Sequence, residues 1–564
     1  MFTWFVCLVM SVSLSYAQTS VKNDELKGWH LKDKTTDGYY GISMQQAYEF
    51  VKNRKSSTVL VAIIDSGIDT LQEDLKPIIW HNPKEIPGNG IDDDKNGYTD
   101  DVYGWNFIGG KDGRNVNDGS LEAARIYHSL KKKYSVVKDE SKLTPIEKEE
   151  YRIYNKAKED IETGSVEAQM EVLNLREIYR KAKESDSLLQ TVFKPVYTGN
   201  ELATFKPVNA KAGNAKALMI QMFKNIYQMM DATNVFIMDD FTSYYTSKVK
   251  LAEAPDFAPK DTRGEIVKDK YEDFNDRFYG NPDVMGGNST HGTHVSGIIG
   301  AVRNNGFGID GVAENIRIMM IRAIPEGGDE YDKDIALAIR YAVDNGAKII
   351  NMSFGKGFSP QKKWVDDAIR YAKTKGVLIV HAAGNDGKNV DSTENYPSPY
   401  FADTKTKASN FITVGASGDP KTGGLMADFS NYGKKEVDVF APGVKIYSTW
   451  ADSNQYEFAQ GTSMASPVVA GLAAFILSYY PELSAEQIKY CIEKGTQTLT
   501  TEVKKPGTEV LEPFNDFSTT GGIINAYESV KIAATLKGER KAEIAPTPKP
   551  VPKPKTKLKK TRKG

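Results

Sequence analysis

Short apolar runs rich in β-branched residues alternate along the chain with amphipathic helical patterns, and this alternation limits the possible folds more than any other feature. The strand-like runs cover residues 58–64, 316–322, 348–354, 377–383 and 411–416. Apolar residues at helical spacing, each pattern ending in a glycine, fill residues 332–346 and 361–376. This order predicts a doubly wound, mainly parallel α/β sheet between two layers of helices. Ligands of such sheets bind beyond the carboxyl ends of the strands.

The composition is that of an ordinary globular protein. Of the 564 residues, 40% are hydrophobic and 26% are charged, as in soluble folded domains rather than disordered or membrane-embedded chains. The 73 basic and 74 acidic residues give a formal net charge of -1. No overall field therefore favours nucleic acid as a partner, and we expect none.

The first residues have the pattern of an export signal. Residues 1–17 are apolar and end in Ser15, Tyr16 and Ala17, a small-x-small cleavage pattern before Gln18. We expect a signal peptide over 1–17 and a secreted, periplasmic or cell-surface mature protein. A buried N-terminal strand or helix is the alternative, because no Lys or Arg precedes the apolar run.

After removal of the signal peptide, one cysteine, Cys491, remains, so no intramolecular disulfide is expected. Its neighbours have helical apolar spacing, which favours a buried core residue over a catalytic thiol. No other stretch approaches the roughly 18 apolar residues of a membrane span, and we expect no transmembrane segment in the mature chain.

Three polar residues stand at the start or end of predicted elements. Asp65 directly follows the run 58–64, and His291 and Ser463 each open an apolar helical segment. Taken singly, Asp and Ser at such positions are most often caps. Together, the three supply a carboxylate, an imidazole base and a hydroxyl nucleophile, the groups that nucleophilic acyl transfer requires.

The strings around these residues make the pattern specific. IIDSGID, HGTHVSG and GTSMASP, which contain Asp65, His291 and Ser463, resemble the three active-site signatures of the subtilases, the subtilisin-like serine proteases. This resemblance implies a subtilisin-like three-layer fold and endopeptidase activity on polypeptide substrates. It also implies that the three residues form the catalytic triad.

The resemblance extends to the residues around the substrate. AAGND resembles the family segment whose asparagine donates to the oxyanion, which implies that role for Asn385 beside the Ser463 amide. INMSFG looks like the strand that pairs with the substrate backbone. The implied substrate-binding residues are Ser353, Phe354, Gly355, Ala383, Gly384 and, in a weaker alignment in which Gly327 and Gly328 form the opposite edge of the cleft, Gly328.

A separate acidic loop covers residues 88–101. Asp92, Asp94, Asn96 and Asp100 occupy offsets 1, 3, 5 and 9 around a glycine, as the oxygen ligands of a calcium loop do. The twelfth position is Tyr103 rather than a bidentate glutamate. The sequence therefore predicts a possible structural Ca²⁺ site, with a solvated acidic turn as the alternative.

The catalytic segments are far apart along the chain. We expect an N-terminal arm and the first part of the catalytic domain over 18–115, a mainly helical insertion over 116–275, and the rest of the catalytic domain over 276–535. Thr144, Pro145 and Glu147 predict a capping box at a helix start in the insertion. Its methionine-rich helix packs within its own hairpin or forms a lid over the cleft.

The last predicted segment, 536–564, is rich in Pro and Lys. From Ala545 it carries five prolines and eight Lys or Arg, a composition that cannot bury a core and predicts disorder. It serves as a solubilising tail or as an electrostatic contact with an anionic cell envelope.

Two other function classes remain open from the sequence. A catalytically silent binding protein on a protease fold is disfavoured, because Asp65, His291, Ser463 and Asn385 are all present. An esterase is disfavoured because no G-x-S-x-G elbow surrounds the nucleophile.

Overall fold

A computed structural model describes residues 23–227, 229–230, 232–452 and 454–540. The predicted signal peptide over 1–17 and most of the predicted tail over 536–564 lie outside these residues. The strands are β1 Val59–Asp65, β2 Gly104–Asn106, β3 Ile316–Arg322, β4 Ile349–Met352, β5 Leu378–Ala382, β6 Phe411–Ser417, β7 Val439–Pro442, β8 Ile446–Trp450, β9 Gln455–Ala459, β10 Gln497–Thr498, β11 Glu502–Lys504, β12 Leu511–Pro513 and β13 Gly522–Ile523.

The helices complete the architecture. They are α1 Asn23–Leu26, α2 Met44–Val51, α3 Glu122–Tyr134, α4 Pro145–Val192, α5 Gly199–Thr204, α6 Ala210–Gln221, α7 Asn234–Glu253, α8 Thr262–Val267, α9 Thr290–Gly300, α10 Asp332–Asp344, α11 Lys362–Thr374, α12 Thr462–Tyr479, α13 Ala485–Lys494 and α14 Ala526–Ala533.

Nine strands form one large sheet in the order β10, β13, β7, β6, β5, β4, β1, β3, β2. All neighbours in this sheet run parallel except β10 and β13. Two hairpin sheets, β8 with β9 and β11 with β12, lie beside it. The predicted fold class, a doubly wound and mainly parallel α/β sheet, is confirmed.

Strand β1 shows why the sheet is buried on both faces. Val61 and Ile63 pack into the core with α9 and α12, whereas Ala62 and Ile64 pack into the core with α10 and α11. Successive side chains of a strand point to opposite faces, so a run without polar residues needs helices on both sides. The carboxyl end of β1, next to β3 and β4, therefore lies at the centre of the molecule's ligand-binding edge.

The apolar helix α12 is the one described helix long and apolar enough to cross a membrane, and 94% of it is buried inside the protein. It packs on β4, β5 and β6 as a core helix. Cys491, on α13, is also fully buried, and burial raises the pKa of its thiol to about 12. The prediction of a core cysteine is confirmed.

Helices α3 to α8 lie within the predicted insertion. The 48-residue helix α4 begins with the predicted capping box: the Glu147 amide donates to Thr144 Oγ1 over 3.3 Å, and the Thr144 amide donates to Glu147 Oε2 over 2.9 Å. Helix α4 packs along α3, α6 and α7. The insertion is thus a helical unit with its own apolar contacts.

Candidate active site

The end of β1 and the start of α9 bring Asp65 and His291 together. His291 Nδ1 lies 2.7 Å from Asp65 Oδ1, which also accepts the Ser66 amide over 2.7 Å. Asp65 is 2% exposed, and its other carboxylate oxygen has no partner within the described part of the chain. The carboxylate therefore fixes the orientation of the imidazole.

The charge state of His291 reflects two opposing effects. Loss of solvation disfavours the imidazolium, but the charge of Asp65 and its hydrogen bond outweigh that effect and raise the pKa of His291 above 6.5. The His291 side chain remains 41% exposed, so its other ring nitrogen can reach a bound molecule.

Ser463 is the second residue of α12 and faces the same cavity as His291. Its Oγ donates to the carbonyl of Ser353 over 3.1 Å, and the described hydrogen bonds include none from Ser463 to His291. The structure thus joins two of the three predicted triad residues directly. It places the third in the cavity that His291 lines, with the hydroxyl turned toward the carbonyl of Ser353.

Asn385 lies just after β5 and is held by the start of α12. Its Oδ1 accepts both the amide and the hydroxyl of Thr462, each over 2.9 Å. Its Nδ2 has no hydrogen-bond acceptor among the residues described and lines the same cavity as Ser463. The Ser463 amide lies in the first turn of α12, where helix N–H groups have no intrahelical acceptor.

The predicted substrate residues surround a second cavity next to Ser463. Ser353, Phe354, Gly355 and Gly384 line it together with Asn385. Ala383 is fully buried behind this wall, where its carbonyl accepts the side-chain amides of two asparagines, Asn395 and Asn431.

Gly327 and Gly328, the two glycines predicted at the opposite edge of the cleft, have different environments. Gly327 lines a cleft with Asp65, His291 and Phe354. A Cβ at Gly328 would lie 2.3 Å from the backbone of Gly119, so Gly328 packs against the first residues of the insertion.

Two further histidines are packed within the core. His294 Nε2 lies 3.1 Å from the Glu457 carbonyl, and His381 Nε2 lies 2.8 Å from the Phe354 carbonyl. Burial lowers the pKa of His294 to about 3 and that of His381 to about 4. Both are therefore neutral, and His381 holds the Phe354 carbonyl of the predicted substrate segment.

The insertion contributes residues that the sequence did not assign to the site. Asp239 and Ser243 of α7 line the cavities on both sides of His291, and Lys156 and Asp160 of α4 line the cavity beside Gly355. Asp239 and Ser243 are four residues apart and so share one face of α7, and this spacing was the only local sign that they could act at the same site. Their position over His291 depends on how the whole insertion folds.

The acidic loop groups its carboxylates differently from the predicted ligand set. Carboxylate oxygens of Glu85, Asp92 and Asp94 lie within 4.8 Å of one another. Glu85 is 8% exposed, and its Oε2 has no partner in the part of the chain described. Glu85 precedes the loop repeat by seven positions, so the repeat itself carried no sign of it.

The remaining two predicted ligands bind backbone amides. Asp100 accepts the amides of Asn89 and Gly90 over 3.1 and 2.9 Å. Asn96 Oδ1 accepts the Tyr98 amide over 2.8 Å. These bonds shape the loop around the group formed by Glu85, Asp92 and Asp94.

Comparisons with known proteins identify relatives of this chain. The thermophilic serine proteinase of Bacillus sp. strain AK1 is 43% identical over 223 residues, which cover 40% of this chain and 50% of that protein. Thermitase of Thermoactinomyces vulgaris is 36% identical over 271 residues, which cover 47% of this chain and 85% of that protein. Subtilisin DY of Bacillus licheniformis is 42% identical over 202 residues, which cover 35% of this chain and 67% of that protein.

The chain thus spans half the length of the first relative and more of the other two. A solved structure described as proteases from Pseudoalteromonas arctica is 30% identical and covers 44% of this chain and 73% of that chain, with a TM-score of 0.35. The model of the subtilase family matches residues 56–511, most of the chain. This chain belongs to the subtilase family of serine-type endopeptidases.

Proposed function

We propose that the chain hydrolyses peptide bonds through an acyl-enzyme on Ser463, with Asp65 and His291 as the other triad residues and Asn385 as an oxyanion donor. The observation that carries this proposal is the 2.7 Å contact between His291 and Asp65 at a cavity that Ser463 and Asn385 also line. A carboxylate-oriented imidazole next to a hydroxyl at a helix N-terminus is suited to acyl transfer.

In the first half of the reaction, His291 Nε2 takes the proton of Ser463 Oγ as that oxygen bonds to the scissile carbonyl carbon. This step requires rotation of the Ser463 side chain away from the Ser353 carbonyl. The Ser463 amide and Asn385 Nδ2 donate to the oxyanion. His291 then gives its proton to the leaving amine as the peptide bond breaks.

In the second half, water attacks the acyl-enzyme. His291 takes a proton from the water as its oxygen bonds to the acyl carbon, and returns the proton to Ser463 Oγ as the ester bond breaks. Asp65 stabilises the imidazolium in both halves. The peptide's acyl part pairs with the segment 353–355, which directly follows β4, through main-chain hydrogen bonds, so the chain accepts varied sequences.

The direct test uses a fluorophosphonate probe and casein. The wild-type protein is expected to be labelled at Ser463, identified by peptide mass spectrometry, and to degrade casein. An unlabelled Ser463 would favour a silent binding protein. Cleavage of small esters with casein left intact would favour an esterase.

We also propose a structural Ca²⁺ ion at the group formed by Glu85, Asp92 and Asp94. Hard carboxylate oxygens suit this ion, and the buried Glu85 Oε2 lacks any partner among the described residues. When bound, the ion would offset the negative charge of these three carboxylates, of which Asp94 also lies 3.8 Å from Lys84 Nζ. Isothermal titration of chelator-treated protein with Ca²⁺ tests the site.

The pattern of residues 1–17 supports export, and one relative is a cell wall-associated protease of Bacillus subtilis. We propose that the mature chain begins at Gln18 outside the cytoplasm. N-terminal sequencing of the protein recovered from the medium or envelope tests this proposal. An electrostatic contact of the basic tail would be supported if raised salt released the protein from the envelope and if deletion of residues 545–564 abolished this salt-sensitive binding.

A further inference from the structure

A cavity of about 420 Å³ adjoins Ser463 on the side away from the predicted substrate strand. Its lining includes His291, Asn385 and Ser463 but none of the residues 353–355, which line the cavity on the other side of Ser463. A peptide whose acyl part follows 353–355 therefore directs the residue after the scissile bond into this cavity.

Seven of the 18 residues that line this cavity come from the insertion. Ile226, Met229 and Phe236 of the insertion line it together with Trp450 and Met464 of the part of the chain that follows the insertion, here called the sheet domain. All five side chains are apolar or aromatic, the kind of lining that takes an apolar group out of water.

The insertion is fixed against the sheet domain at both ends of α7. The rings of Phe236 and Trp450 lie 5.3 Å apart at 62°, an edge-to-face contact. At the other end, Lys250 Nζ donates to the carbonyl of Gly327 over 3.0 Å. The insertion therefore already forms this wall of the cavity before a peptide binds.

The segment before α7 has an unusual backbone that points to a binding role. Met222–Ile226 form a π-helical turn, a feature often found at functional sites. Met222 and Phe223 are fully buried inside the insertion, but Ile226 is 56% exposed and lines the cavity. The π-helical turn thus directs Met222 and Phe223 into the core of the insertion and Ile226 toward the cavity.

The charged groups around the cavity have both signs. Asp239, Asp240 and Lys445 line it, and Asp240 accepts the Tyr227 hydroxyl over 2.9 Å. With both signs present, the lining favours no single charge, and the apolar wall decides the preference.

We propose that the insertion forms one wall of a subsite for the leaving group and that this subsite selects a large apolar or aromatic residue directly after the scissile bond. This inference rests on the proposed endopeptidase function. It assigns Phe236 and Ile226 as specificity-determining residues.

The test uses peptides that differ only at the position after the scissile bond, with Phe, Leu, Ala or Glu there. The full mature protein is expected to cleave the Phe and Leu peptides with kcat/KM about 10-fold or more above that of the Ala peptide. Phe236→Ala is expected to reduce that ratio to about threefold or less. Phe205→Ala, which removes an insertion aromatic that contacts Phe193, is the matched control and should keep the wild-type ratio.

A second variant tests the same inference even if Phe236→Ala fails to fold. Ile226→Lys changes an exposed side chain and is expected to raise the relative kcat/KM of the Glu peptide about fivefold or more over wild type. The inference would be overturned if the wild-type protein cleaved the Phe and Leu peptides with nearly the same kcat/KM as the Ala peptide, or if folded Phe236→Ala kept the wild-type ratio. In either case, fluorophosphonate labelling of Ser463 would still support the protease function. Loss of labelling and cleavage in the wild type would overturn both.

Discussion

Ser463 and Ser353 are joined by two reciprocal hydrogen bonds: the Ser463 hydroxyl donates to the Ser353 carbonyl over 3.1 Å, and the Ser353 hydroxyl donates to the Ser463 carbonyl over 3.0 Å. The proposed nucleophile and the first residue of the proposed substrate strand are thus held in register. A peptide that pairs with this strand would meet Ser463 at a set distance, because the same contact positions both.

Ser463→Ala is expected to abolish fluorophosphonate labelling and to lower kcat/KM for peptides at least about 10⁴-fold, because no nucleophile remains. The variant loses the hydrogen bond from the Ser463 hydroxyl to the Ser353 carbonyl, which should change the free energy of unfolding by about 1 kcal/mol or less. Ser478→Ala, at the far end of the same helix, is the control and should keep full activity. Wild-type rates in Ser463→Ala would refute the assignment.

The pKa of His291 predicts how activity depends on pH. His291 acts as a base only when neutral, so the raised pKa puts the acidic half-point of kcat/KM above pH 6.5. Asp65→Asn removes the charge that raises this pKa. The half-point should then move to lower pH, and the plateau should fall about 10⁴-fold. A half-point that stayed in place would show that another group controls the profile.

The same shift has a consequence for stability. Because the folded-state pKa of His291 lies above its unfolded value, the His291–Asp65 contact stabilises the fold fully below pH 6.5, and this contribution is lost as pH rises through the folded pKa. As pH rises through the folded-state pKa of His291, the wild-type protein should lose the stability that the His291–Asp65 contact provides, whereas Asp65→Asn should show no such loss. Thermal unfolding of inhibitor-free protein at several pH values measures the difference.

Asn385→Ala is expected to lower kcat about 10²- to 10³-fold with a small change in KM, because its amide serves the oxyanion rather than the ground-state substrate. Thr462 is a positioning residue, since its hydroxyl and amide orient Asn385. Thr462→Val should lower kcat less, and Thr462→Ser should restore it. An effect on KM alone would argue against an oxyanion role.

Glu85→Gln is expected to lower the Ca²⁺ affinity at least about 10-fold and to remove any rise in melting temperature on addition of Ca²⁺. Asp100→Asn is the informative comparison, because Asp100 accepts backbone amides outside the group of Glu85, Asp92 and Asp94. That variant should bind Ca²⁺ nearly as well as wild type. The reverse order of effects would favour the ligand set that the loop repeat predicts.

A buried ion network attaches the end of the insertion to the sheet domain. Arg263, which is 2% exposed, contacts Asp334 over 2.6 Å and Asp269 over 2.7 Å. Arg263→Ala should lower the free energy of unfolding by about 3–5 kcal/mol, because it leaves the buried Asp334 carboxylate without its cationic partner, whereas Asp269 keeps Lys333 at 2.6 Å.

The control for this prediction is an exposed ion pair on α4. Arg152 and Glu149 are both more than half exposed, so Arg152→Ala should change the free energy of unfolding by about 1 kcal/mol or less. Denaturant unfolding measures both variants. Equal effects would show that burial of the Arg263 network contributes nothing.

The sequence by itself determined the sheet and the identity of the chemical groups. Apolar β-branched runs between amphipathic helices allow few folds other than a buried parallel sheet, because both faces of each strand must be covered. The short strings around Asp65, His291 and Ser463 carry their own local geometry, namely a strand end and two helix starts. Capping boxes such as that of Thr144 and Glu147 are equally local.

Only the tertiary structure decided which distant residues share a cavity. The orientation of the Ser463 hydroxyl, the packing of Gly328 against Gly119, the grouping of Glu85 with the acidic loop and the position of Phe236 beside Trp450 all depend on contacts between remote segments. Local spacing cannot encode such contacts, because they arise from how the whole insertion packs on the sheet domain. The chemistry was therefore readable from the sequence, whereas the shape of the cleft required the fold.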